Sequence, residues 1–264
     1  MRRLVLLSLL FLLPALPAHA RPVFIEEMTW PEIRQAIASG SDTAIYYAGS
    51  TEQNGPHMVT GKHNFIARHV AQKIAENLGH ALVYPIMPFA PTGDPATQSA
   101  HMRFPGSVSL RETTFVAIAR DVALSARAAG FRNILLMADH GEGQEALAQL
   151  AGELSTAWKA EGIRVFHVPD LYSRSAELER EYLARQGHTA GGHAALADTS
   201  ALMAIDRTGK WVRRDKLAQA RGDGQNGIDG DARGASAGLG KKLIDLKVGS
   251  AEAQIRRMLA GVLN

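Results

Sequence analysis

The 264-residue chain has no cysteine, which removes disulfides and thiol chemistry from any account of it. A chain of this length can bury a sizeable core without such staples, and their absence is compatible with an exported protein. The sequence also lacks a second long apolar run. Beyond the stretch from Leu4 to Leu16, nothing is long enough to cross a bilayer. Charge of one sign is scarce as well: 29 Lys and Arg stand against 26 Asp and Glu, a formal net charge of +3. The pI near 9.3 invites a nucleic-acid reading. Basic residues interleave with acids on the apparent helix faces, however, so no nucleic-acid or membrane-surface partner is expected. No internal repeat and no linker divide the chain.

The N-terminus carries an address. Arg2 and Arg3 precede the apolar run, and Ala18-His-Ala20 supplies a small-x-small cleavage site. Residues 1–20 are therefore expected to be a secretory signal peptide, with the mature protein, one α/β domain over 21–264, in the periplasm or outside the cell. Losing Arg2 and Arg3 would lower the net charge from +3 to +1.

Apolar periodicity sets the expected organisation. Thr29 and Pro31 mark a helix start, with a stop before Gly40. Ala44–Ala48 and Asn133–Ala138 read as buried strands; Ala81–Pro85 and Gly162–Val168 read as two more. Between them, helical spacing runs from Asn64 to Leu78, from Glu112 to Ala129 and from about Gln144 to Ala160, with Gly79 and Gly130 as stops. Strands alternating with helices call for a mostly parallel sheet covered on both faces. The irregular stretch from Met87 to Leu110 is long enough to suit a pocket wall. After Asp170 the pattern weakens. An apolar helix opens near Gly191 and ends near Ile205, Gly222–Gly240 reads as a surface loop, and an amphipathic segment from Ala251 to Leu263 closes the chain.

Two loops that follow strands hold the chemistry. Gly49-Ser-Thr-Glu52-Gln-Asn-Gly-Pro-His57 follows the first, and Asp139-His140-Gly-Glu142 follows the third. The carboxyl ends of parallel strands gather ligands in open α/β sheets, and Glu and His together are metal-type donors. His63 stands at the start of the next helix. Ser50 and Ser107 have no base placed beside them and are not expected to be nucleophiles.

These motifs, with Phe104-Pro-Gly-Ser-Val-Ser-Leu110, His193-Ala-Ala-Leu-Ala-Asp198-Thr-Ser200, and the tail Gly230-Asp-Ala-Arg233 followed by Ala235–Gly240, resemble in order the landmarks of the creatininase family over residues 24 to 260. The resemblance implies a three-layer α-β-α sandwich, metal-dependent cleavage of amide C–N bonds in small non-peptide or cyclic compounds, and a homo-oligomer, often a hexamer. It also implies two metal ions, one held by Glu52, residue 63 and His140, the other by residues 54 and 63 and Glu142.

The chain departs from that plan at two ligands. Asn54 stands where the family has His, and His63 stands where it has a bridging Asp. The second ion thus loses its site, while Glu52, His63 and His140 form a two-histidine, one-glutamate set suited to a single zinc, with manganese as the other choice. Such an ion lowers the pKa of water to roughly 7. Glu142, freed from ligation, is expected as the proton carrier. His193 matches the family's catalytic histidine, and Asp198 stands where Glu is usual. His57, His101 and Asp198 are expected around the substrate. The tryptophan that creatinine hydrolases carry shortly before the matching histidine is missing from Gly187–Gly191, so creatinine is not the preferred substrate. The leading expectation is an exported metal-dependent amidohydrolase acting on a small molecule. The others are a periplasmic binding protein that has lost catalysis and a peptidase acting on a short modified peptide.

Overall fold

The structure, a computed structural model, describes residues 22–262; the expected signal peptide lies outside the described residues. Four parallel strands form the central sheet: β1 (Thr43–Ala48), β2 (Ala81–Val83), β3 (Asn133–Ala138) and β4 (Arg164–His167), in the order β2-β1-β3-β4. β1 and β3 pair over their full six residues, Thr43 opposite Asn133 through Ala48 opposite Ala138, and every residue of both strands is buried. That register brings the two strand ends level, so the loops that follow them leave the sheet side by side.

Helices cover both faces. Ala44, Tyr46, Ala48, Ile134, Leu136 and Ala138 point to one, where they pack with α1 (Trp30–Ala38), α3 (Glu112–Ala129) and α4 (Gln144–Ala157). Ile45, Tyr47, Leu135 and Met137 point to the other, against α2 (Lys62–Leu78) and the last helix. The period-two alternation of a strand places one apolar set on each side, so both faces need a helical layer. This is the expected three-layer α-β-α sandwich.

The helix boundaries have visible causes. Thr29 and Glu32 form a capping box at the start of α1, with Pro31 in its first turn. α2 ends at Gly79, in the left-handed region at φ +79°, a conformation that costs glycine nothing.

The C-terminal third differs from expectation in three places. α5 (Ser173–Arg185) is a helix that the sequence hid, because it buries only Ser175 and Leu183 and shows no apolar stripe. After α6 (Leu196–Ile205) and the short α7 (Arg214–Leu217), the stretch read as a surface loop contains an antiparallel hairpin, β5 (Arg221–Asp223) with β6 (Asp229–Asp231). Its turn is anchored by the fully buried Ile228. Finally, the closing segment is one 23-residue helix, α8 (Ala237–Leu259). Gly238, Gly240 and Gly249 weaken its signal, yet Gly240 is required, since a Cβ there would lie 1.7 Å from the Ser200 carbonyl of α6. Among the described residues no helix is long and apolar enough to cross a membrane.

Candidate metal centre and active site

Glu52 sits in the loop after β1, wholly buried, and imidazoles converge on its carboxylate. His63, the second residue of α2, places Nε2 3.0 Å from Oε1. His140, from the loop after β3, places Nε2 2.9 Å from Oε2. His193 brings Nδ1 to 3.7 Å and His101 brings Nε2 to 3.8 Å from Oε1. The Ser50 hydroxyl donates to Oε2 at 2.7 Å. Burial pushes the Glu52 carboxyl up. The charges and hydrogen bonds of His63 and His140 overcome that and hold it far below the ordinary carboxylate range.

Behind this carboxylate stands a second one. His63 Nδ1 lies 2.8 Å from Asp139 Oδ2, and Asp139 also accepts from Lys247 Nζ of α8 at 2.8 Å and from the Tyr47 hydroxyl at 3.3 Å. Burial would raise the Asp139 carboxyl, but Lys247 and His63 hold it well below its usual value; burial acts downward on Lys247, but Asp139 and Glu179 together outweigh it and leave Lys247 raised. For His63, burial and Lys62 act downward, while Glu52 and Asp139 outweigh them and leave its pKa raised.

A third carboxylate fixes the turn before α6. Asp198 accepts from the fully buried Lys62 at 2.5 Å and from the Ala194 N–H at 2.9 Å. Ala194 is held in the left-handed region at φ +57°, a strained conformation for a residue with a Cβ. Gln98 and Ala100, in the loop that carries His101, are also left-handed, at φ +52° and +48°.

The expected residues fall into two groups. Glu52, His63, His140, His101 and His193 come together, and the ligand atoms of Glu52, His101 and His140, and of Glu52, His63 and His193, lie within metal-sharing distance; the expected trio of Glu52, His63 and His140 is divided between these two clusters, with Glu52 common to both. Glu142 is half-exposed on the other edge of the His140 ring, its Oε2 3.5 Å from Nδ1. His57 is fully buried away from the opening, its Nε2 2.9 Å from the Thr199 hydroxyl. Asp198 spends its carboxylate on Lys62 and the Ala194 N–H. Asn54 donates to the carbonyls of Glu52 and Val59 at 2.9 and 3.4 Å, holding the loop itself, and its buried Oδ1 has no partner.

Sequence reasoning gave no role to Asp139, Lys62, Lys247 or Gln53. Asp139 and Gln53 lay inside the quoted motifs, and Lys62 adjoins His63. Lys247 had one signal: it falls on the buried face of α8, between Ile244 and Ala251.

A buried carboxylate that stays ionised, ringed by neutral-capable imidazoles, is a donor set that suits a divalent ion. His63 strengthens the fit. Its Nδ1 is occupied by Asp139, the carboxylate–histidine arrangement that leaves Nε2 for a metal. A family model described as creatininase, creatinine amidohydrolase, matches residues 26–255. The chain belongs to the creatininase family.

The relatives place it at the divergent end of that family. The creatinine amidohydrolase of Pseudomonas putida is 28% identical over 123 residues, 47% of this chain and 46% of that protein. The 3-dehydro-scyllo-inosose hydrolase of Thermotoga maritima is 28% identical over 124 residues, 46% of this chain and 36% of that protein. The match thus spans less than half the length of these curated relatives. A crystal structure of creatinine amidohydrolase superposes with a TM-score of 0.72 at 21% identity, covering 90% of this chain and 98% of that one. A manganese form gives 0.71, and a mutant described as of the Zn–Zn type gives 0.72, both at 21% identity and 90% of this chain, with 99% and 98% of those chains covered. The creatininase fold is therefore shared almost end to end.

Proposed function

We propose that this creatininase-family protein is a metal-dependent hydrolase that cleaves the C–N bond of a small amide or lactam. The observation that carries the reading is the buried Glu52 carboxylate with His63 and His140 bonded to its two oxygens. Glu52, His63 and His140 would hold one divalent ion; zinc or manganese, the metals named for solved relatives, suits these nitrogen and oxygen donors. When bound, the ion supplies positive charge that acidifies water and polarises a carbonyl.

The chain's own residues do the rest. Asp139 fixes the His63 ring and is itself fixed by Lys247. Glu142, open to solvent at the mouth, takes the proton of the attacking water and returns it to the leaving nitrogen, so that an amide and water become an acid and an amine. His101 and His193 stand near the Oε1 side of the carboxylate and meet the substrate. With Asn54 turned to the backbone and His63 in place of a bridging carboxylate, one ion per chain is favoured over two.

Export through residues 1–20 and assembly into a homo-oligomer belong to the same proposal. Periplasmic fractionation and light scattering check them. The central test is elemental analysis of wild type and His140→Ala after equilibration with zinc or manganese, followed by a screen of amides and lactams with creatinine included. About one ion per chain, lost in the variant, together with hydrolysis of any of these compounds, supports the reading. A wild type that binds no ion rules it out in favour of a binding protein.

A further inference from the structure

Gln53 lies between two histidines and bonds each with a different kind of atom. Its backbone carbonyl accepts from His193 Nε2 at 2.8 Å. A carbonyl only accepts, so Nε2 carries the proton and the neutral ring keeps its lone pair on Nδ1, the atom that faces Glu52. The side chain does the reverse to His101. The Gly55 N–H donates to Gln53 Oε1 at 2.8 Å, which fixes the oxygen end of the amide. The NH2 end therefore lies against His101 Nδ1, at 3.1 Å. An amide NH2 only donates, so His101 Nδ1 accepts and its Nε2 carries the proton, toward Glu52. Both rings are Nε2–H tautomers, yet they present opposite ends to the same carboxylate: one lone pair and one N–H. Their centroids are 4.5 Å apart.

Gln53 is held to this task. Its N–H donates to the Ser107 hydroxyl at 3.0 Å. Gly227, at the turn of the β5–β6 hairpin, packs on the amide so closely that a Cβ would lie 2.1 Å from Oε1. His140 differs from His101 in having two partners at its outer nitrogen, the Glu142 N–H at 3.3 Å and the Glu142 carboxylate at 3.5 Å. The carboxylate is an acceptor that can take a ring proton there and free Nε2 for ligation. The outer nitrogen of His101 meets only a donor, so its inward nitrogen has no lone pair to give a metal.

We propose that Gln53 is a positioning residue that sorts the two histidines, making His101 the hydrogen-bond donor to the substrate's carbonyl oxygen and His193 the acceptor that orients the attacking water. This rests on the amide-hydrolase reading above. It excludes His101 from the metal's ligands even though His101 lies within reach of them.

The test reads tautomers directly. Long-range 1H–15N spectra of the metal-free protein should show both rings protonated on Nε2 with lone pairs on Nδ1. In Gln53→Glu, the carboxylate oxygen that replaces the NH2 group should move a proton onto His101 Nδ1. His193, bonded to the backbone carbonyl, should stay unchanged and report that the fold is intact. The same variant should lose roughly 100-fold in kcat with little change in KM, the scale of removing one oxyanion donor. His101→Gln, which retains an N–H donor, should recover activity relative to His101→Leu, and both should keep the wild-type metal content. A His101 ring protonated on Nδ1 in wild type, or metal lost in both His101 variants, overturns the assignment. Failure of the wild type to hydrolyse any amide overturns the parent reading, whereas the spectra judge Gln53 by itself.

Discussion

The inner wall of the site and its mouth use the same residue types under opposite conditions. Inside, Glu52, His63, Asp139 and Lys247 form a buried chain in which each charge meets an opposite charge or a donor. At the mouth, Glu142 is half-exposed and His101 and His193 are partly open, each with one nitrogen directed toward Glu52. A buried charge is tolerated only when it is paired and hydrogen-bonded, so Asp139 and Lys247 hold the His63 and Glu52 side of the wall rigidly in place. The mouth keeps unsatisfied capacity, which is what a substrate needs. The comparison assigns ion binding to the wall and chemistry to the opening.

The largest effect should come from the wall. Glu52→Gln removes the charge on which the imidazoles converge, and both metal content and hydrolysis should fall by more than the roughly 100-fold at the top of the range for outer-shell substitutions. Elemental analysis and steady-state assays check this; an intact metal content would erase the distinction between wall and mouth. Next is Lys247→Met, which leaves Asp139 short of its principal cationic partner. Removing one member of a buried pair costs about 3–5 kcal/mol, read as a lower midpoint in urea unfolding.

Glu142→Gln should sharpen the contrast. It should lower kcat by roughly 100-fold, at the modest end for a general acid–base group, with metal retained and stability unchanged. A large loss of metal would move Glu142 into the wall.

The smallest effect lies outside the site. Burial pulls His167 down to about 4 while its Nε2 bonds Gln144 Oε1 at 2.9 Å. The unfolded chain therefore binds a proton near pH 6.5 that the folded one refuses until about pH 4. The contribution of His167 is complete above about pH 6.5 and is lost as the pH falls toward 4. His167→Gln should flatten that part of the stability profile, as measured by urea unfolding at a series of pH values.

Much of the sheet and its first helices was legible in the sequence. Asn133–Ala138 and Glu112–Ala129 are where apolar spacing put them, because fully buried strands and one-sided helices write their burial into neighbouring residues. The hairpin and α5 were not, since Gly222–Gly227 and the polar Ser173–Arg185 carry little local pattern, and what orders them is packing against distant segments. α8 was seen only at its far end, because Gly240 answers to the backbone of α6 and Lys247 to Asp139 after β3.

The site divides in the same way. The sequence by itself determined that Glu52, His63 and His140 stand at strand ends and a helix start, since loop motifs following buried strands fix position along the chain. Only the tertiary structure decided which atom each ring presents. The roles of Gln53, Asp139 and Lys247 depend on hydrogen bonds between residues far apart in the chain, more than a hundred positions for His193 to Gln53 and Lys247 to Asp139. Spacing along a chain says where a histidine is; the partner at its other nitrogen, supplied by the fold, says what it can do.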